Sequence, residues 1–279
     1  MTGLGRSHGA ITLVNAMPCG LGAAAGVKLF TEAAFTVCGR EKEVTIGSDP
    51  DEDTKMARVC VAETYQSLGL KEPNGWTLTT ESNIPVSRGL KSSSSACNAI
   101  ISAVLDEEHR TMDETELVRL GVRCARAAKV TVTGSFDDAC GCQLGGIVVT
   151  DNRRDQILGR GDLPAELEVV IHVPPRKIRK TGLPLDRLHA LAPQIEPLVR
   201  QALTDPWGVM TVNGRLISAV SDVDNSVAEQ ALAAGALGAG MSGSGPAVAM
   251  VFPTGAGARF VRDSGLTDTI LTTTRGADE

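Results

Sequence analysis

Aromatic residues are scarce in this chain of 279 residues, with two Trp, one Tyr and five Phe making up 3% of the sequence. Glycine, by contrast, numbers 30, and hydrophobic residues account for 42%. This length and apolar content can bury a full core in one large or two closely joined domains. Because large rings are few, we expect that core to form by close packing of small side chains.

The chain also lacks any excess of positive charge. It has 27 Lys and Arg against 33 Asp and Glu, a formal net charge of -6 and a pI of about 5.4, which argues against a general nucleic-acid binder. No apolar run reaches the ~20 residues of a membrane helix, and the first residues lack the basic and apolar regions of a signal peptide. We therefore expect neither a nucleic-acid nor a membrane partner.

Metal-binding and redox motifs are missing as well. The seven cysteines are an odd number, and the one close pair, Cys140 and Cys142, lacks the C-x-x-C spacing of zinc and redox sites. The four histidines show no ligand spacing. We interpret the seven cysteines as reduced thiols, assign the close pair a structural rather than a metal-binding role, and predict a cytoplasmic protein.

One segment combines the features that phosphate binding requires. Gly89 lets the backbone approach an anion closely, and the hydroxyls of Ser92 to Ser95 can donate to phosphate oxygens or ligate Mg²⁺. The apolar run 96–105 predicts a helix, whose N-terminal N–H groups would attract negative charge. The predicted serine loop consists of Pro85, Val86, Ser87, Arg88, Gly89, Leu90, Lys91, Ser92, Ser93, Ser94, Ser95 and Ala96.

The alternative for a serine run is a flexible linker or a simple helix N-cap. A linker normally lies in polar, low-complexity sequence, whereas this run lies between Ile84-Pro85-Val86 and an apolar helix. That setting favours an ordered loop inside a domain. The segment is not the G-x-x-x-x-G-K-[ST] loop of P-loop enzymes, which the chain does not contain.

Three glycine-containing segments follow one another along the chain. The serine loop has the pattern P-x-x-x-G-L-x-S-S-S, residues 15–24 have the pattern N-A-x-x-x-G-x-G-A-A, and residues 240–247 read G-M-S-G-S-G-P-A. In this order they resemble the GHMP kinases, the superfamily of galactokinase, homoserine kinase, mevalonate kinase and phosphomevalonate kinase. Lys91 replaces the second glycine of the usual G-L-G. The extended serine loop, the 15–24 segment and residues 131–139 most resemble the archaeal type of shikimate kinase.

The resemblance implies an α+β fold of two domains with the active site in the cleft between them. We predict an N-terminal ATP-binding domain over residues 1–150 and a C-terminal domain over 151–279, divided at the charged turn 151–155. The implied activity is ATP- and Mg²⁺-dependent phosphorylation of the shikimate 3-hydroxyl. The alternatives are another GHMP kinase, acting on homoserine or a mevalonate-type alcohol, and a nucleotide-binding regulator without turnover.

The resemblance also implies roles for individual residues. Ser93 would ligate Mg²⁺, Ser92 and Ser94 would lie close to the phosphates, and Gly243, Ser244 and Gly245 would bring further N–H groups to ATP. Asp137 would be the base that accepts the proton of the substrate hydroxyl. From the residues alone, Asp137 and Asp138 would be a solvated turn or a helix cap, and their order as base could be reversed.

Two departures from the superfamily pattern stand out. Several GHMP kinases place a metal-binding Glu about ten residues before the catalytic Asp, but residues 124–129 contain no carboxylate, and Leu21 lies where related sequences often have Lys. Shikimate carries a carboxylate, so its pocket should contain Arg or Lys. The candidates are Arg88, Lys91 and the basic run 176–180, which could equally be a solvated loop. Asn15 and Ser135 are candidate partners for the substrate hydroxyls.

Hydrophobic periodicity predicts the main elements. Strands are expected over residues 10–14, 30–37, 76–80, 145–149, 167–173 and 248–252, and helices over 53–70, 96–105, 113–128, 185–203 and 227–237. The prolines at 193 and 197 are expected to break or kink the fourth of these helices.

Overall fold

The computed structural model describes residues 1–47, 49, 52–86, 88–131, 134–163, 167–175 and 183–277. The strands are β1 Gly3–Val14, β2 Leu21–Val37, β3 Lys42–Ile46, β4 Trp76–Ser82, β5 Ile147–Asp151, β6 Gln156–Gly161, β7 Glu168–His172, β8 Gly238–Met241, β9 Val248–Phe252 and β10 Thr269–Thr273. The helices are α1 Lys55–Ser67, α2 Ser92–Glu107, α3 Glu114–Ala127, α4 Phe136–Leu144, α5 Leu185–His189, α6 Ala192–Gln201, α7 Pro206–Ser221, α8 Ser226–Ala233 and α9 Ala256–Ser264.

The first six strands form one sheet in the order β3-β4-β2-β5-β6, with β1 paired to β2. Small residues let helix α2 pack directly on β1. A Cβ on Gly3 would overlap the carbonyl oxygen of Ala103, and a Cβ on Gly5 would overlap that of Ala99. The expected close packing of small side chains is confirmed at this contact, and the first turn of α2 also reaches β1, where the Ser95 hydroxyl donates to the Ser7 carbonyl.

The last four strands form a second, antiparallel sheet in the order β10-β7-β9-β8. Helix α7 lies against β8, where a Cβ on Gly214 would be 2.5 Å from the Cα of Gly240. The same helix also reaches the end of β1, because Asn213 Oδ1 accepts a hydrogen bond of 2.9 Å from the Asn15 N–H.

One apolar cluster joins the two sheets. It contains Ile11 and Leu13 from β1 together with Val169 and Ile171 from β7, all fully buried. Val251 of β9 belongs to the same cluster. The two parts of the molecule therefore share a core, and the loops at the junction are held between them.

The predicted domain boundary falls inside a hairpin. Strands β5 and β6 pair antiparallel on either side of the turn at 152–155, and both belong to the first sheet. The first sheet ends with β6 at Gly161 and the second sheet begins with β7 at Glu168. A boundary drawn between the two sheets therefore lies between these two residues. Arg153 and Arg154 of the charged turn are exposed while Asp151 and Asn152 are buried, so only part of its composition resembles that of a linker.

All six predicted strands and all five predicted helices are confirmed in type, with shifts at their ends. The predicted helix 185–203 is interrupted at residues 190–191, before Pro193, which occupies the first turn of α6. Pro197 lies inside α6 without ending it. Within the part of the chain that the structure describes, none of the helices combines the length and the apolar character needed to span a bilayer.

Candidate active site

The serine loop leads directly into helix α2. Lys91 is the N-cap residue with φ of 67°, and the four serines form the first turn. Ser95 is fully buried and donates to the carbonyl of Ser7 at 3.0 Å. Ser92 and Ser93 are half-buried, and among the described residues neither hydroxyl has a hydrogen-bond partner. These two hydroxyls and the free N–H groups of the turn can therefore receive an anion.

The serine loop meets the glycine-rich loop that follows β8. A Cβ on Gly89, whose φ is 85°, would overlap the carbonyl oxygen of Ser242. Ser242 Oγ donates to the Gly89 carbonyl at 3.0 Å across 153 residues of sequence, and the Ala247 N–H donates to the Arg88 carbonyl at 3.1 Å. Glycine at position 89 is what allows this close approach.

Within the glycine-rich loop, two of the three predicted donors are already engaged. The Gly243 N–H donates to Thr12 Oγ1 at 2.8 Å, and the Gly245 N–H donates to the Ser242 carbonyl at 2.9 Å. Among the described residues, the Ser244 N–H has no acceptor. Ser244 is therefore the residue of this loop that retains a backbone donor for a ligand.

Lys91 is a buried cation between the loops, with 3% of its side chain exposed. Its Nζ lies 2.7 Å from Asp138 Oδ1 and donates to Thr12 Oγ1 at 2.6 Å. Thr12 thus accepts from both Lys91 and Gly243 and links the two loops through β1. Because the ammonium is already paired, the geometry disfavours Lys91 as the partner of a substrate carboxylate.

Asp137 lies in the first turn of α4 and is 4% exposed. The pKa of its carboxyl is raised to about 6, mainly by burial and in addition by the neighbouring Asp138, while Lys91 and a hydrogen bond from Asn152 partly oppose this rise. A Cβ on Gly22 would be 2.6 Å from Asp137 Oδ2. Glycine at 22 therefore makes room for this carboxylate, which explains the second glycine of the N-A-x-x-x-G-x-G-A-A pattern at residues 15–24, the N-terminal motif.

Asn152 was missed by the sequence analysis, which treated residues 151–155 only as a charged turn. It is 1% exposed, and its Nδ2 donates to Asp137 Oδ1 at 2.6 Å. Thr12, which lies inside an apolar strand, was missed as well. Neither residue belongs to a local motif, so only the fold reveals their contacts with the site.

The other predicted substrate contacts differ in their surroundings. Arg88 is half-buried, and its buried Nη1 has no partner among the described residues. Asn15 is engaged, since its Nδ2 donates to the Gly243 carbonyl at 2.7 Å, and the Ser135 hydroxyl pairs with Thr131 Oγ1 at 2.8 Å. The basic run 176–180 and Ser87 lie outside the described residues.

A cleft with a cavity volume of about 120 Å³ adjoins the serine loop. Ser92, Ser93 and Ala96 form one wall, and the other walls are formed by β2, β4, α1 and the end of α3. Its lining is Thr31, Ile46, Glu52, Asp53, Lys55, Met56, Ala57, Thr80, Ser82, Val86, Ser92, Ser93, Ala96, Ile100, Ala128 and Val130. Its mixed apolar and polar lining suits part of a small organic ligand, and its volume is below that of a pocket that encloses a whole drug-sized molecule.

The described part of the chain contains no group of three His, Cys, Asp or Glu side chains arranged to hold a metal ion. In the region that lacks the expected Glu, Arg126 instead forms two hydrogen bonds with Asp155, at 2.7 and 2.8 Å. Mg²⁺ commonly keeps several waters and binds through one or two protein oxygens plus substrate phosphates. A serine hydroxyl beside a phosphate loop is compatible with such binding.

Comparison with known proteins identifies the family. Residues 55–146 match the GHMP kinases N terminal domain, and residues 210–265 match the GHMP kinases C terminal domain. A shikimate kinase of Methanosarcina mazei is 38% identical over 87% of this chain and 83% of its own length. The chain belongs to the GHMP kinase family.

A shikimate kinase of Pyrococcus abyssi is also similar to this GHMP kinase, with 34% identity over 88% of this chain and 90% of its own length. A solved mevalonate kinase of Methanococcus jannaschii has the same fold, with a TM-score of 0.82, 15% identity and 98% coverage of both chains. The two-domain α+β fold is therefore confirmed. As a GHMP kinase, the protein transfers a phosphoryl group from ATP to a small molecule.

Proposed function

We propose that this GHMP kinase phosphorylates the 3-hydroxyl of shikimate and produces shikimate 3-phosphate and ADP. The observation that carries the proposal is the 34–38% identity to shikimate kinases over nearly nine-tenths of the chain. This similarity extends through both parts of the protein that contribute to the site, whereas the likeness to mevalonate kinase, at 15% identity, supports the fold alone.

ATP would bind along the serine loop, from Pro85 to Ala96. Its phosphates would lie over the first turn of α2, near Ser92, Ser94 and the Ser244 N–H, with Gly243 and Gly245 shaping the opposite loop. The macrodipole of α2 favours the negative charge there. The adjoining cleft, which shares Ser92, Ser93 and Ala96 with the loop, is placed to receive part of the adenosine group.

We assign Mg²⁺ to the hydroxyl of Ser93, with phosphate oxygens and water as its remaining ligands. The half-buried Ser93 hydroxyl, which has no hydrogen-bond partner within the described part of the chain, supports this assignment. Bound there, the ion would neutralise charge on the transferred phosphoryl group.

Asp137 is the proposed base. As the 3-hydroxyl oxygen of shikimate attacks the γ-phosphorus, Asp137 accepts the hydroxyl proton and ADP leaves with the pair of electrons of the broken P–O bond. A buried carboxyl with a pKa of about 6 is mostly ionised at neutral pH, yet it is a stronger proton acceptor than a solvent-exposed Asp. Asp138 is tied to Lys91 and is the weaker candidate.

Arg88 is the described residue that best fits an anionic group of either substrate. Among the residues that the structure describes, its buried Nη1 has no hydrogen-bond partner, whereas Lys91 is paired with Asp138. We place the reaction in the cytoplasm, which the seven free cysteines support.

The test is Mg²⁺-dependent ADP release by the purified protein with shikimate, homoserine or mevalonate offered separately. Stimulation by shikimate alone is expected. Stimulation only by another alcohol would contradict the substrate while leaving the kinase fold intact. ATP-dependent thermal stabilisation without ADP formation with any of the three would instead favour a nucleotide-binding regulator.

A further inference from the structure

Asn152 is a buried amide that the reaction scheme above does not use. It follows β5 directly and lies in the turn that leads to β6. Its side chain makes three hydrogen bonds. Nδ2 donates to Asp137 Oδ1 at 2.6 Å, and Oδ1 accepts from the Asp137 N–H at 3.1 Å and from Thr150 Oγ1 at 2.8 Å. The amide and Asp137 thus close a reciprocal pair of bonds.

The orientation of this amide is fixed by its neighbours. A backbone N–H can only donate, so the atom facing the Asp137 N–H must be the amide oxygen. The Nδ2 group then necessarily faces Asp137 Oδ1, as the 2.6 Å distance requires. Thr150, itself fully buried, donates to the same amide oxygen and holds it in place.

The backbone of Asn152 is anchored on both sides. Its N–H donates to the Gly20 carbonyl at 2.8 Å, and its carbonyl accepts from Arg126 Nη2 at 3.3 Å. The Arg126 guanidinium also lies against Gly134, in the turn that precedes α4. Asn152 therefore connects the N-terminal motif, the end of α3 and the start of α4 at one point.

We propose that Asn152 is a positioning residue for Asp137, holding Oδ1 so that Oδ2, on the side of Gly22, is the oxygen that receives the proton of the acceptor hydroxyl. The proposal rests on the proposed function of Asp137 as the base. When Asn152 holds one carboxylate oxygen and the other faces the acceptor hydroxyl, Asp137 needs no reorientation before proton transfer. A displacement of a catalytic group by about 1 Å can cost about 10²-fold in rate.

Several charged or titratable groups face Asp137 besides this amide. Asp138 and Cys140 lie on its own helix, and Lys91 faces it from the start of α2. Burial and Asp138 raise the pKa of Asp137, while Lys91 and the Asn152 hydrogen bond lower it. Loss of the amide should therefore raise that pKa, and the acidic limb of the rate profile should move to higher pH.

The first test is Asn152→Ala. We expect kcat to fall ~10- to 100-fold, the KM for ATP to change less than about threefold because no ATP contact is lost, and the acidic limb of kcat to shift upward. The matched control is Asn98→Ala. Asn98 is a fully buried amide on α2 that donates to the Ala139 carbonyl of α4 at 3.0 Å. It should lower thermal stability without moving the acidic limb.

Thr150→Val provides a milder variant that preserves shape. It removes only the bond that holds the amide oxygen, so we expect a smaller change in the same direction. If Asn152→Ala behaved like Asn98→Ala, lowering stability but leaving kcat and the acidic limb unchanged, Asn152 would have only a structural role. That result would overturn the proposal.

A readout without turnover separates this proposal from the proposed function. Carboxyl-carbon NMR can follow the titration of Asp137 in the wild type, in Asn152→Ala and in Thr150→Val. An upward shift of the Asp137 pKa in the variants supports the positioning contact even if shikimate is not the substrate. An unchanged titration contradicts it even if shikimate is phosphorylated.

Discussion

Asp137 and Asp138 are neighbours in sequence, yet their carboxylates lie in different environments. Asp138 is paired with the buried ammonium of Lys91, which stabilises its charge. Asp137 is more deeply buried and bound by a neutral amide, and its pKa is raised to about 6. Consecutive residues of a helix point in directions about 100° apart, so the fold, rather than the sequence, separates their surroundings.

Asp137→Asn should reduce kcat by ~10²- to 10⁴-fold, the usual contribution of a general base. ATP affinity should change little, since the amide preserves size and the phosphate loop is untouched. Turnover by ADP release and ATP binding by calorimetry measure the two effects. Asp138→Asn is the comparison, and we expect it to retain more turnover but to lose stability, because it leaves the Lys91 charge buried without its partner.

The pH profile should show which form of Asp137 is active. A base must be ionised, so kcat/KM for shikimate should fall tenfold per pH unit below the raised pKa of about 6 and level off above it. The measurement is kcat/KM for shikimate from about pH 3.5 to about pH 8. A limb near pH 4 would indicate an Asp with an ordinary solvent exposure and would contradict the assigned environment.

Individual site residues can be predicted from the sequence where they belong to a short motif. The serine loop, Gly243 and Asp137 were selected from short patterns, and the structure brings them together with Lys91 between them. Thr12 and Asn152 have no such pattern. One lies in an apolar strand and the other in a charged turn, and their contacts join positions far apart in sequence.

At the level of elements, helix α7 is the most informative omission from the prediction. Its start signals were present, since Asp205 caps the helix by accepting from the Gly208 N–H and Pro206 occupies the first turn. Its apolar residues do not form a narrow stripe, because the helix packs against both β8 and β1. A periodicity analysis therefore finds no clear helical face, while α3, with one buried side, was predicted within a residue at each end.

The contact between the serine loop and the glycine-rich loop can be tested with Gly89→Ala. A Cβ there would overlap the Ser242 carbonyl, so the loops must separate. We expect the KM for ATP to rise roughly tenfold or more, the order of effect of losing ~1.4 kcal/mol of binding.

The control is Gly235→Ala, at a position with φ of 94° and no atom within 4 Å of the added Cβ. It carries a similar backbone cost, about 1 kcal/mol, without any loop contact. Thermal unfolding and ATP kinetics of both variants separate strain from loop separation. Equal KM values for ATP would show that the loop contact does not affect ATP binding.

At the scale of the whole molecule, the last described residues return to the first sheet. The Arg275 N–H donates to the Gly26 carbonyl and the Gly146 N–H donates to the Arg275 carbonyl, each at 2.9 Å. The Arg275 guanidinium donates to the carbonyls of Cys142 and Gln143 near the end of α4. Arg275 thus supports α4, the helix whose first turn contains Asp137.

Arg275→Met should lower the free energy of unfolding by ~1–3 kcal/mol, because it leaves buried carbonyls without a charged donor. Urea denaturation of the protein measures this change. Arg262→Met, at an exposed position beside Asp263, is the control and should change stability by less than about 0.5 kcal/mol. Equal stability of the two variants would mean that the Arg275 contacts make no net contribution to the free energy of unfolding.

The core shared by the two sheets has a consequence for motion. Two domains that close on a substrate by a hinge motion need an interface that can open. Here that interface contains a continuous apolar cluster, including Ile11 and Val251, whose side chains would be exposed to water if the interface opened. Rigid-body closure is therefore costly in this kinase. Exclusion of water during the reaction must depend on loops at the rim, and hydrogen exchange on ATP binding should slow there while amides of β1 and β9 stay equally protected throughout.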